Sequence, residues 1–150
     1  MVTWSEFAHA SPRLAEHGER LLGVGVAYIA TVARDGSPRI HPFTPLLEGG
    51  RLLGLIAKHT VKYGNLLRDP RCSIHAVLGD SDEEFMIIGR ALPSDDPATR
   101  MQAAIAARRI NMTSTNDVAF EFFLERVHWA IWRGLGTPNI HRESDRWPAP

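Results

Sequence analysis

At 150 residues the chain has the length of one compact domain and too little for two ordinary ones. Its 17 basic and 17 acidic residues cancel, which excludes a general nucleic-acid binder, since phosphate contacts need a surplus of Lys and Arg; any positive site must be local. The lone cysteine, Cys72, leaves no internal disulfide or cysteine zinc knuckle, no run of about 18 apolar residues is present, and the N-terminus lacks a leader pattern, so the expectation is a cytoplasmic protein that binds neither nucleic acid nor membrane.

Thr3 and Glu6 have capping-box spacing and open a short helix; Ser11 and Pro12 restart it, with Leu14, Leu21 and Leu22 on one face and an end at Gly23. From Val24 the period changes to two, and "VGVAYIATVA" reads as a strand turning at Asp35-Gly36 into "RIHPFTPLLE". Pro42 and Pro45 there cannot donate ladder hydrogen bonds and mark an edge or bend. After Gly49 and Gly50, "RLLGLIA" is a third strand, and Thr60 caps a helix that carries Leu66 and Leu67 and stops at Asp69-Pro70.

"RCSIHAVL" is the fourth strand, "GDSDEE" a solvated turn, and "FMIIGRAL" the fifth strand; hairpin connections make an antiparallel meander that curls into a barrel. A helix over 95–110 starts at Asp96-Pro97, ends in Arg108 and Arg109, and has an Ala-rich face suited to close packing. "NMTSTNDV" is a polar loop, a closing strand or strand pair covers 118–134, and the tail 135–150 is turn-rich. The whole reads as a single domain, with helices in 1–23 and the core strands in 24–92.

The stretch Lys58, His59, Thr60, Lys62 gathers two cations, an imidazole and a hydroxyl where a strand becomes a helix, a position whose free N–H groups and dipole favour phosphate; the plainer reading is a basic solvent-exposed loop. Arg39 and His41 alternate with Ile40 and share one face of the second strand. Seven histidines do not form the close pairs that supply metal ligands, so no metal is expected; His75 and His128 read as core or surface residues within strands. Trp129, Trp132, Phe120, Phe122 and Phe123 fill a core or an interface, and Cys72 is packing rather than nucleophile.

In order and spacing, "ATVARDGSPRIHPFTPLLEGGRLLGLIAKHTVKYGNLLRDPRCSIHAV" resembles the pyridoxamine 5'-phosphate oxidase-like family, the FMN-binding split β-barrels. The features are a D-G-x-P hairpin, an Arg-led second strand, a third strand ending in a Thr-x-Lys corner, and a "DPR" exit from the helix. The resemblance implies a mainly β, six- or seven-stranded antiparallel split barrel with flanking helices, forming a homodimer with flavin sites at the interface. It also implies cofactor contacts at Arg39, Ile40, His41, Ile56, Ala57, Thr60 and Lys62, with Lys58 or His59 as a substitute cation and Trp132 reaching the flavin of the partner. Val61 stands where the oxidase has a second arginine, and "RESDRWPAP" lacks its substrate-binding arginine motif. The expected activity is therefore hydride transfer between flavin and a small-molecule substrate rather than authentic pyridoxamine phosphate oxidation. The alternatives are a reductase using the deazaflavin coenzyme F-420 and a non-catalytic flavin- or haem-binding protein. No catalytic acid or base is singled out.

Overall fold

The computed structural model describes residues 1–112 and 116–148. The expected loop "NMTSTNDV" lies partly, and the last two residues of the tail wholly, outside the described residues. Helices α1 (Trp4–Ala10) and α2 (Pro12–Leu22) lead into strands β1 (Ala27–Val32), β2 (Pro38–Phe43), β3 (Leu46–Glu48) and β4 (Arg51–Ala57). Helix α3 (Val61–Arg68) is followed by β5 (Arg71–Ala76), a short 3-10 turn at Asp80–Asp82, and β6 (Glu84–Pro93). Helix α4 (Pro97–Arg109), β7 (Asp117–Arg133) and β8 (His141–Trp147) complete the chain.

The sheet runs β2-β1-β5-β6-β7-β4-β3, with β8 added beside β7 and every pairing antiparallel. Its two outermost path strands, β2 and β3, are joined by only Thr44 and Pro45, so the sheet curls until its ends meet. Pro42 and Pro45 flank that seam and lack ladder donors, which keeps the seam open: this is the split of the barrel. The sheet has eight strands among the described residues, more than the six or seven expected, because Leu46–Glu48 pairs as a short strand and the tail forms β8. That tail looked turn-rich because its strand is mostly exposed and polar, so no hydrophobic alternation marks it.

Inward positions of β1, β5, β6 and β7 supply Ile29, Ile74, Phe85, Ile87, Phe120, Phe122 and Trp129 to the main core, which Trp4, Phe7 and Leu14 of the first two helices cap. A second, smaller cluster joins Ala103, Ala106 and Ala107 of α4 to Leu46, Leu53 and Ala119; alanines let the helix approach closely. Arg51 ties α4 to the sheet by donating to Thr99 Oγ1 and, at 3.0 Å, to Glu121 Oε2. The Thr3–Glu6 capping box and the Asp96 cap form as expected. Ser11 does not cap α2 with its side chain: its N–H closes α1 on Phe7 O instead, and Pro12 alone starts the second helix.

"GDSDEE" is not a wholly solvated turn. Glu83 is 5% exposed and accepts hydrogen bonds from Trp129 Nε1 at 2.7 Å and Arg20 Nη2 at 2.5 Å, while His17 stacks on the Trp129 ring at 4.1 Å. Burial alone would raise the Glu83 carboxyl, but these hydrogen bonds and the nearby Arg20 charge outweigh it and hold the group below its ordinary value. This carboxylate fastens α2 to the barrel. Cys72 is buried, and burial pushes its thiol up to about 12, which suits packing and not nucleophilic chemistry.

Strands β6 and β7 slip register between Ile88 and Gly89, and a Cβ at Gly89 would lie 2.0 Å from Phe123 O. Gly89→Ala must push two backbones apart and is expected to cost about 3 kcal/mol in urea unfolding. Glu83→Gln is expected to cost about 1–3 kcal/mol at neutral pH, with Trp129 emission reporting the change. Because the folded pKa of Glu83 is depressed, its contribution is present above the unfolded value near 4.5 and is lost as pH falls through the folded one. The wild type should therefore destabilise more steeply than Glu83→Gln below about pH 4.5; parallel curves would show that Glu83 carries no such linkage.

Candidate functional site

The corner between β4 and α3 is built by Thr60. Its extended backbone makes it the N-cap, its Oγ1 accepts from Tyr63 N at 3.4 Å and donates to Ala57 O at 2.7 Å, and its N–H also bonds Ala57 O. The N–H groups of Val61 and Lys62, first in the helix, find no acceptor among the described residues. Helix α3 is fixed against β1 by Asn65 Nδ2 donating to Thr31 Oγ1 at 2.9 Å and by Arg68 donating to Val32 O and Asn65 Oδ1. At its exit, Arg71 bonds Asp69 and holds that carboxyl down at about 2, which accounts structurally for the "DPR" motif.

Across β1 lies β2, whose register puts Arg39 opposite Thr31 and His41 opposite Ile29, on the side of the strand that looks toward the barrel and α3. Lys62 reaches back to donate to Pro42 O at 2.7 Å, closing the gap between helix and strand. Its ammonium is pushed below the ordinary lysine value by burial, partly offset by Asp117. Burial likewise lowers His41, and the positive charges of Lys62 and Arg39 lower it further. His41 Nε2 is buried without a hydrogen-bond partner, and the Arg39 side chain makes no ion pair among the described residues. The arrangement gathers positive charge beside open backbone donors, a combination chemically suited to an anion.

The structure therefore brings together Arg39, His41 and Lys62, with Thr60 and Ala57 forming the corner itself. The Thr60 hydroxyl proton is spent on Ala57 O, so here it shapes the corner rather than pointing a free donor outward. Ile40 lies on the opposite face of β2 and is 69% exposed; Ile56 is 1% exposed, in the core. Lys58 lines a polar cleft of about 250 Å³ with Asp95 and Asp117, and His59 is exposed. Trp132 is 37% exposed near the end of β7, opposite Arg142 of β8, whereas the first residue of β7 is the one that pairs with Ala57. It does not join the cluster within one chain.

Sequence reading missed a polar network on the outer face. Glu84 accepts from Arg142 and lies 3.8 Å from His75 Nε2 and 3.6 Å from His128 Nε2, on three neighbouring strands. The signal was register: both histidines pair with Met86, two residues from Glu84 on the same face of β6. Among the described residues no group of side chains is gathered as a metal cage. As a check on the corner, Thr60→Val should lower stability by about 1 kcal/mol in thermal unfolding through loss of the cap; an unchanged melting curve would mean the cap is not needed to hold the corner.

The family model for pyridoxamine 5'-phosphate oxidase matches residues 14–129. No curated protein matches the chain. Among solved structures it is similar to a NimC/NimA family protein from Clostridium acetobutylicum, with a TM-score of 0.65 and 20% identity over 89% of this chain and 91% of that one. It is also similar to HupZ of Group A Streptococcus, with a TM-score of 0.64 and 19% identity over 75% and 90%. A heme binding protein from Mycobacterium smegmatis superposes with a TM-score of 0.59 and 21% identity over 84% of this chain, which spans 55% of that one. These likenesses bear out the split-barrel architecture, and with the family match over most of its length the chain belongs to the pyridoxamine 5'-phosphate oxidase family.

Proposed function

We propose that the chain is an FMN-binding oxidoreductase, that Arg39, Lys62 and the start of α3 take the cofactor phosphate, and that it works as a homodimer. The observation that carries the reading is the positive charge gathered at the corner, which Asp117 offsets only in part. Arg39 has no acid partner among the described residues, Lys62 has donors beyond the one given to Pro42, and His41 Nε2 is buried and unpaired. A phosphate there relieves the charge that now lowers His41 and supplies the missing acceptors, so the residues present fit the group.

When bound, the flavin supplies hydride chemistry; the protein supplies position and field. Arg39 and Lys62 neutralise and orient the phosphate, and the Val61 and Lys62 N–H groups complete its shell. Residue Val61 gives no charge, which leaves this site one cation poorer than an oxidase with arginine there. For the dimer, the supporting observation is the outer face of β1 and β2, where Tyr28 and Ile40 are large and exposed on adjacent strands.

The test is titration of the purified protein with FMN, followed by flavin fluorescence and by sedimentation. Saturable binding near one FMN per chain, weakened about tenfold or more by Lys62→Ala or Arg39→Gln, supports the reading; unaltered binding by both variants overturns the placement of the phosphate. Parallel titrations with the deazaflavin coenzyme and hemin decide among cofactors: a Soret band that disappears in His41→Ala would replace the flavin reading with a haem one. Because the phosphate raises the depressed His41 pKa, binding takes up a proton. FMN affinity should fall as pH rises above the lowered His41 value of the free protein, and His41→Gln should remove the part of the slope that exceeds the titration of the phosphate itself.

A further inference from the structure

The outer face at the junction of β6, β7 and β8 carries a second feature, away from the phosphate corner. Register lays its residues in two rows: Met86 and Ile88 of β6 stand beside His128 and Arg126 of β7, and Arg146 of β8 stands on the far side of His128. Trp147 forms a wall, its own ring fixed edge-on to Phe7 at 5.4 Å. The result is a slot of about 280 Å³. A cavity of about 150 Å³ already holds benzene, so a body of one or two rings has room here.

The floor is apolar and the rim is cationic. Arg126 and Arg146 make no ion pair and no side-chain hydrogen bond among the described residues, although 17 acidic residues are available in the chain. Glu84, the carboxylate on the same face, is already engaged by Arg142. His128 Nε2 receives a hydrogen bond from Arg142 at 3.0 Å, and since a guanidinium only donates, Nε2 accepts and Nδ1 carries the proton. An apolar slot edged by two free guanidinium groups is built for a flat apolar body with an anionic end.

We infer that this slot is a ligand site for a small aromatic or aliphatic carboxylate, whose apolar body lies on Met86, Ile88 and Trp147 and whose carboxylate pairs with Arg126 and Arg146. The inference does not depend on the cofactor proposal, because it uses none of the residues of the corner.

The probe is 2-naphthoate, titrated by calorimetry into the protein alone and into protein preincubated with excess FMN. Expected is one saturable site per chain, an affinity at least about tenfold lower for Arg126→Gln/Arg146→Gln, and a similar loss for the neutral analogue 2-naphthylmethanol. Both arginines are exposed, so the double variant should keep the wild-type melting temperature. Ile88→Trp, which fills the slot without touching charge, should abolish binding as well. Absence of saturable binding, binding unaffected by the double variant, or displacement of the probe by inorganic phosphate in step with Lys62→Ala would each overturn the inference; the last would move the probe to the corner and leave the cofactor reading intact.

Discussion

The fold depends on one strand being longer than any neighbour can cover. At 17 residues, β7 pairs with β6 through its middle, with β4 over its first part, and with β8 over its last part, so β4 and β8 share one edge in succession. A strand of that length with two successive partners cannot stay flat, because each pairing adds right-handed twist; the register slip at Gly89 takes up the mismatch and bends the sheet. The curl then brings β2 and β3 together at Thr44 and Pro45. The seam that results is where β4 ends, where α3 begins, and where Lys62 reaches Pro42.

Charge at that seam is a consequence of geometry acting on a neutral chain. Burial pushes Lys62 toward its neutral form against the pull of Asp117, and burial together with the charges of Lys62 and Arg39 does the same to His41, so the folded protein alone gains little from having them adjacent. Such a cluster is stabilised by something negative placed among its members; Asp117 does this in part for Lys62, while other acids are held by arginines elsewhere: Asp69 by Arg71, Glu48 by Arg109, Glu121 by Arg51. The proposed anion site thus rests on how the remaining ion pairs are distributed as much as on the basic residues themselves.

Much of this was readable in the sequence because the relevant signals are local. The Thr3 and Asp96 caps, the "DG" and "GG" turns, the Thr60 corner and the Ala-rich face of α4 each depend on residues close together in the chain, and the structure bears them out, with the Ser11 cap the exception. What escaped needed register. Nothing in "HRESDRW" announces a strand, since an exposed edge strand buries little on either side, and His75, Glu84 and His128 become neighbours only once β5, β6 and β7 are aligned. Lys58 and Lys62 look alike in sequence, yet Lys58 turns to a different cleft, because the cap at Thr60 reverses the chain between them.

The two acids that open the β6 region show how closely such tertiary facts can sit in sequence. Glu83 and Glu84 are consecutive, so the extended chain sends their side chains to opposite faces. Glu83 goes inward to Trp129, Arg20 and His17 and fixes α2; Glu84 goes outward to Arg142 and two histidines and fixes β8. Both carboxyls lie below their ordinary value although burial opposes it, because donors on the attached segment outweigh desolvation. Helix α2 and the last strand are therefore anchored at one point of the barrel by neighbouring charges. Each anchor is lost only when pH falls below the ordinary carboxylate value, so acid loosens both of the segments that cover β7.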